Sequence, residues 1–224
     1  MLEERDAALL VEGSLALGVA LDAVAVRKIG IYLDELRAWT QAAVRLVSRS
    51  DARFLIRKHF LDSLAVLPLV ARGARVVDLG SGAGFPGLVL ALAEPSLAVT
   101  LIEARRKKVS FLRQVVRATQ AQNVRAICGR AESLGADEAF RGNFDVAVTR
   151  ATWAIADFLA LAAPFLSPGG LALAMKGPAV ERELVELARE GLAGGFRLGR
   201  RHSYTLPLGN ERREALIFDR KGFT

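Results

Sequence analysis

The sequence predicts an α/β fold, an open and mostly parallel sheet with helices on both faces, preceded by a helical cap. Two observations carry this. From Arg75 onward, short apolar strands alternate with helical stretches, and strands that are apolar almost without interruption belong to a parallel sheet covered on both sides. Before Arg75 the apolar positions recur instead at three- and four-residue spacing, the period of an amphipathic helix. The expected organisation is a cap over residues 1–72 and an α/β unit over residues 73–224, together forming one integrated globule.

Within the cap, the spacing predicts helices over Ala7–Leu17 and Val24–Val47, the second with Ile29, Tyr32, Leu33, Leu36 and Trp39 on its apolar side. A third is expected from about Arg53 to Leu69, ending near Pro68 and Gly73. The strands expected next are Arg75–Leu79, Ala98–Ile102, Val124–Cys128, Phe144–Thr149 and Leu171–Met175. Between them lie helical stretches over Gly87–Ala93, Arg106–Gln122, Ile155–Leu166 and Ala179–Gly191. The segment Phe196–Phe218 reads as two closing strands, one of them antiparallel. An open α/β sheet binds its ligand beyond the C-terminal strand ends, so the chemistry is expected just after Leu79, Ile102, Cys128, Thr149 and Met175.

Composition narrows the class. With 224 residues the chain can bury a sizeable core without a staple, and its lone cysteine, Cys128, allows neither an internal disulfide nor a cysteine-based metal site. Cys128 itself is expected to be a small buried hydrophobe. The opening Met1-Leu2-Glu3-Glu4-Arg5-Asp6 mixes charges, and no apolar run is long enough for a membrane span. A cytoplasmic, monomeric protein without a membrane partner is expected. The formal charge of +7, from 31 Lys+Arg against 24 Asp+Glu, is compatible with a polyanion partner.

The run Val76-Val77-Asp78-Leu79-Gly80-Ser81-Gly82-Ala83-Gly84-Phe85-Pro86-Gly87 reads as strand, tight turn and helix start. Alternating glycines let the backbone approach a ligand without a side chain intervening. A dinucleotide fingerprint, G-x-G-x-x-G, begins directly after its strand. Counted from Gly80, its last position falls on Phe85. A carboxylate at the strand end, Asp78, suits a cationic amino-acid ligand better than a pyrophosphate. S-adenosylmethionine has an ammonium, a sulfonium and no phosphate. Glu103 ends the next strand, where an acid accepts hydrogen bonds from ribose hydroxyls. Ala131 and Glu132 follow the third strand, placed to approach an adenine. Two of these acids have plainer readings: Asp78 as a cap on the turn, and Glu132 as a first-turn helix acid complementing the dipole.

Lys58-His59-Phe60-Leu61-Asp62-Ser63-Leu64, the glycine loop, Arg106-Lys107-Lys108, Arg130-Ala131-Glu132, Thr149-Arg150-Ala151 and Met175-Lys176-Gly177 occur in that order. Together they resemble the bacterial small-subunit rRNA methyltransferase G family, also called glucose-inhibited division protein B. The resemblance covers roughly Arg57–Glu181. It implies a class I S-adenosylmethionine-dependent methyltransferase fold, Rossmann-like with a mostly parallel seven-stranded sheet and an N-terminal helical extension. It implies methylation of N7 of one guanine in the 530 loop of 16S rRNA, with naked 16S rRNA or the small ribosomal subunit as partner. Carried over, Gly80 and Phe85 contact the cofactor, Ala131 and Glu132 its adenine, and Arg150 the site near the methyl group. Asp78, Gly82, Gly84 and Glu103 complete the expected cofactor set. Members carry an Asn-Leu-Thr segment where this chain reads Val44-Arg45-Leu46-Val47-Ser48.

Guanine N7 already has an accessible lone pair, so no general base is expected. Arg150 and Lys176 are the candidate catalytic residues. An Arg fork can donate to a purine's acceptors, or Arg150 could instead hold the methionine carboxylate; Lys176 is expected to contact phosphate or base. Arg105-Arg106-Lys107-Lys108 opens a helix against its dipole, as an RNA-phosphate contact or as a solvated face. His59, with Asp62 and Ser63 on one helical face, reads as a cluster docking the cap beside the loop, and His202 as a surface residue. No metal is expected. The alternatives are a small-molecule methyltransferase and a non-catalytic RNA or assembly factor on the same fold. A nicotinamide oxidoreductase is disfavoured by the loop phase and by Asp78.

Overall fold

A computed structural model describes residues 2–42, 46–48, 51–150, 153–177, 180–190, 195–209 and 211–221. The cap begins with α1 (Glu4–Ala16) and α2 (Ala23–Gln41). Asp22 starts α2 as an N-cap, accepting from Ala25 N at 2.7 Å, a contact worth about 1 kcal/mol. α2 stops at Gln41, short of the expected Val47: Ala42 is its C-cap and residues 46–48 are not helical, while Val44 and Arg45 of the divergent cap segment lie outside the described residues.

The expected helix from Arg53 to Leu69 is broken into four pieces. They are α3 (Ala52–Leu55), a π-helical turn (Ile56–Leu61), α4 (Asp62–Leu64) and a 3₁₀ turn (Leu67–Leu69). The wide turn adds a residue to the helical repeat, which sequence spacing cannot register. Such insertions recur at functional sites. This one turns His59 and Asp62 toward the sheet, where both meet Arg150.

The sheet follows with β1 (Arg75–Leu79), α5 (Gly87–Ala93), β2 (Ala98–Glu103), α6 (Arg106–Thr119) and β3 (Val124–Cys128). Then come α7 (Ala131–Leu134), β4 (Phe144–Thr149), α8 (Ile155–Ala162), β5 (Leu166–Lys176), α9 (Val180–Glu190), β6 (Phe196–Thr205) and β7 (Arg212–Arg220). The described residues form a seven-stranded sheet in the order β3-β2-β1-β4-β5-β7-β6. β1 to β5 are parallel; β7 runs antiparallel to β5 and to β6. The order reverses at β1, where β2 and β4 flank it, and this is the switch point at which such sheets bind ligands.

Several boundaries differ from expectation. α6 stops at Thr119 because Gln120 adopts φ +50°, a left-handed cap. α8 ends at Ala162, and β5 starts early at Leu166, with a bulge in its pairing to β4 that absorbs Ser167-Pro168-Gly169-Gly170. Cys128 is exposed, contrary to the buried reading: β3 is the sheet's edge strand, so its far end has no neighbour to cover it.

Two apolar clusters flank the sheet. One contains Ala147, Phe158, Phe165, Leu216 and Phe218, beneath α8. The other joins the cap to the opposite face: Ile29, Tyr32, Leu33, Leu36 and Phe60 share a core with Leu88, Phe111, Leu112, Val146 and Ile217. Each such buried side chain contributes roughly 1.5–3 kcal/mol, so cap and sheet are mutually stabilised.

Candidate functional site

The glycine loop leaves β1 at the switch point. Gly80, Gly82 and Gly84 have φ of +66°, +60° and +99°, a region that other residues enter only with strain. Four of the loop's amide groups are engaged within the protein. Ser81 N donates to Ile102 O, Gly82 N to Glu103 Oε2 at 3.0 Å, and Gly84 N and Phe85 N to Ser81 O. Gly87 N donates to Asp78 Oδ2 at 2.9 Å. A phosphate at this position would find those N–H groups occupied and two carboxylates, Asp78 and Glu103, already there.

Asp78 is fully buried, and its contact with Gly87 caps the start of α5, in keeping with the plainer reading of that residue. Burial pushes its carboxyl up to about 7, against the partial relief of the Gly87 N–H. Its Oδ1 has no partner among the described residues. Glu103 is buried at the end of β2, each oxygen accepting one backbone N–H, from Gly82 and from Arg105 at 2.8 Å. A carboxylate oxygen accepts two hydrogen bonds, so each retains capacity for a ribose hydroxyl.

The three glycines do different things. A Cβ on Gly80 would lie 2.8 Å from Cη2 of Trp153, whose indole rests on the loop. On Gly82 it would meet only Gly80 O and Lys108 Nζ, both at 3.8 Å. On Gly84 it would press at 2.6 Å on Tyr32 Oη, away from the cleft and into the cap. Tyr32, fully buried, donates its hydroxyl to Ala83 O in the loop, and burial raises its pKa well above the usual phenol value.

Phe85 is also turned inward. Its ring packs against Tyr32 at 5.4 Å, His59 at 5.0 Å and Phe60 at 5.3 Å, with the Arg150 guanidinium over it at 4.8 Å. Any contact between Phe85 and a cofactor therefore falls to its backbone. Ala131 is buried at the start of α7 and Glu132 is exposed in its first turn, where it also complements the dipole. Arg105, Arg106 and Lys107 are exposed at the start of α6, and Lys108 is half-buried beside Gly82.

Arg150 and Lys176 do share a cleft. A cavity of about 700 Å³ is lined by both, with His59, Asp62, Glu183 and Tyr204 among its other walls. Arg150 leaves β4 and reaches the cap: Nη1 donates to Lys58 O at 3.1 Å and to Asp62 Oδ2 at 3.4 Å, and Nη2 contacts His59 Nδ1 at 2.7 Å. Three of a guanidinium's five N–H donors are thus engaged by the protein. Burial, and then the charges of Arg150 and Lys58, push His59 down to about 3. The neutral ring accepts from Arg150 at Nδ1 and carries its proton on Nε2, which is buried without a partner among the described residues. Asp62 also accepts from Tyr204 Oη at 2.8 Å, joining the cap to β6.

Lys176 is not a free cation. Its Nζ lies 2.8 Å from Glu183 Oε2 and also donates to Trp153 O. Glu183, Tyr32, Trp153 and Tyr204 were not singled out as site residues by sequence reasoning. A lone Tyr on the aliphatic stripe of α2 was the one visible signal for Tyr32; an acid in the first turn of α9 carries no such mark. His202 is half-buried and stacks on Tyr204 at 5.7 Å. Among the described residues, no group of three or more His, Cys, Asp or Glu is arranged to hold a metal ion, and no helix is long and apolar enough to cross a membrane.

Comparison with known proteins gives a consistent answer. A sequence profile for "rRNA small subunit methyltransferase G" matches residues 25–203. A protein of that name from Desulfotalea psychrophila is 36% identical over 93% of this chain and 95% of its own length. One from Myxococcus xanthus is 38% identical over 93% and 94%, and one from Sorangium cellulosum 44% identical over 76% and 72%. Among solved structures, TrmN from Thermus thermophilus superposes with a TM-score of 0.56 at 19% identity, over 74% of this chain and 53% of that one. TYW2 from M. jannaschii, solved in complex with AdoMet, gives 0.54 at 16% identity over 70% and 73%. At such identities the likeness is one of fold, that of the class I S-adenosylmethionine-dependent methyltransferases.

Proposed function

Because the chain belongs to the rRNA small subunit methyltransferase G family, we propose that it methylates N7 of one guanine in the 530 loop of 16S rRNA, using S-adenosylmethionine. What supports this is the glycine loop set against Asp78 and Glu103 at the C-terminal end of β1, together with the cavity that Arg150 and Lys176 line at the ends of β4 and β5. When bound, S-adenosylmethionine supplies a methyl group already activated on a sulfonium.

In this reading, the backbones of Gly80 and Gly82 approach the cofactor, and Glu103 accepts from its ribose hydroxyls. Ala131 and Glu132 flank its adenine. Asp78 holds the start of α5 under the loop, and Gly84 and Phe85 join that loop to the cap. Guanine N7 presents its own lone pair, so no residue has to remove a proton before attack. The protein's part is to hold the base in line with the methyl group, and positioning of this kind supplies on the order of 7–11 kcal/mol when the geometry is ideal. Arg150, braced by His59, Asp62 and the Phe85 ring, retains two N–H donors for the base or the cofactor's carboxylate. Lys176 and Glu183, paired with each other, line the same cavity. The exposed Arg105–Lys107 edge and Lys108 sit beside the loop, where RNA phosphate would pass.

The test uses S-adenosylmethionine labelled at its methyl group, with small ribosomal subunits from a strain lacking this gene and with free 16S rRNA. Strand scission at N7-methylguanosine maps the product. Label at one guanine of the 530 loop is the expected result. Label elsewhere, or none despite cofactor binding, overturns the assignment.

A further inference from the structure

We propose that the Lys176–Glu183 pair reads the Watson–Crick edge of the target base, making Glu183 the residue that selects guanine over adenine. The inference rests on the assignment of a guanine substrate above. Both residues line the cavity that also contains Arg150 and His59. The pair is fixed from several sides. Lys176 Nζ lies 2.8 Å from Glu183 Oε2 and donates to Trp153 O, while Ile155 N donates to the same Oε2 at 3.2 Å.

What this arrangement leaves unused is specific. Every contact that the described residues make to the Glu183 carboxylate falls on Oε2, so Oε1 remains an open acceptor. An ammonium has three donors, and two of those on Lys176 are engaged. A donor and an acceptor therefore stand side by side on the cavity wall. Guanine presents the complement: O6, an acceptor, lies beside N1–H and the N2 amino group, both donors. Adenine presents the reverse, an N6 amino donor beside the N1 acceptor, and would set donor against ammonium and lone pair against carboxylate. Unpaired bases are commonly read on this edge. Reading it there also leaves N7, on the far side of O6, unobstructed for the methyl group.

A purely structural role is the competing account, since Glu183 also ties α9 to β5 and to the start of α8. The two accounts differ in a ratio. The test compares kcat/KM for small subunits carrying guanosine or adenosine at the target position, for the wild type and for Glu183→Gln. Cofactor affinity is measured alongside to show that the fold is retained. A glutamine amide offers both a donor and an acceptor and can turn to suit adenine. The expected result is a guanosine-to-adenosine preference about tenfold or more lower in Glu183→Gln, with faster methylation of adenosine and unchanged cofactor affinity. A loss of activity that is equal for both bases would leave the ratio unchanged and overturn the proposal. Failure of the wild type to methylate the guanosine particle would instead overturn the substrate assignment itself.

Discussion

Replacing Arg150 with Ala removes more than a candidate substrate contact. The guanidinium donates to Lys58 O, to Asp62 and to His59 Nδ1, and it covers the face of Phe85. Breaking a buried ion pair by deleting one partner costs about 3–5 kcal/mol. Here the Arg150 side chain is 20% exposed, and Asp62 keeps Tyr204 Oη at 2.8 Å and Arg213 at 3.7 Å. The lower end applies, and we expect a loss of about 3 kcal/mol, or roughly 6–12 °C in Tm for a chain of this size. Urea unfolding followed by circular dichroism measures it. A second readout comes from His59, whose pKa is depressed to about 3 by burial and then by Arg150. Between about pH 3 and 6.5 the unfolded chain binds a proton on this histidine that the folded chain does not. That group's contribution to stability is therefore complete above pH 6.5 and is lost as the pH falls. Without Arg150 the folded pKa rises and the loss on acidification becomes shallower. A variant within 0.5 kcal/mol of the wild type, with an unchanged pH slope, would refute the idea that Arg150 clamps cap to sheet.

Three further outcomes are expected. Gly84→Ala drives a methyl group to within 2.6 Å of Tyr32 Oη at a φ of +99°, whereas Gly82→Ala meets nothing nearer than 3.8 Å at +60°. Thermal unfolding should show the first losing roughly 2–4 kcal/mol and the second about 1 kcal/mol. Asp78 is held at about 7 by burial, so between about pH 4 and 7 the folded state binds the extra proton and stability falls as the pH rises; Asp78→Asn should flatten that dependence, as denaturant titrations at pH 5 and 7.5 would reveal. Replacing both Arg106 and Lys107 with Ala should reduce the slope of log K for RNA against log salt by about 1.4–1.8 without altering cofactor affinity, as salt-dependent filter binding would measure.

How much of this was legible in the sequence depended on what each residue answers to. β1, β3, β4 and α5 begin and end where the apolar runs do, because each is buried along most of its length or ends at a glycine or charge. The glycine loop and Glu103 were legible for the same reason: their spacing is local. Cys128 was misread because an apolar strand looks the same at the edge of a sheet as at its centre, and only the strand order places β3 outermost. The π-helical turn left no trace in the pattern, and with it went the way His59 and Asp62 face Arg150. Glu183 meets Lys176, and Trp153 meets Gly80, through contacts across the fold, and no sequence period encodes those.

The core shared by cap and sheet also bears on how the chain reaches its native state during synthesis. The apolar stripe of α2, with Ile29, Leu33 and Leu36, is made well before its partners Phe111 and Leu112 on α6, which lie about 80 residues later. At typical synthesis rates that interval is roughly 4–16 seconds, during which the stripe has α1 and Phe60 of the cap against it but not α6. Ile217, on the penultimate strand of the sheet order, joins the same core only about 180 residues after Leu36. The α2 stripe is therefore fully sheltered only long after it is made. A nascent chain of this protein should engage holding chaperones through its α2 stripe, and should be released from them only once β7 has docked.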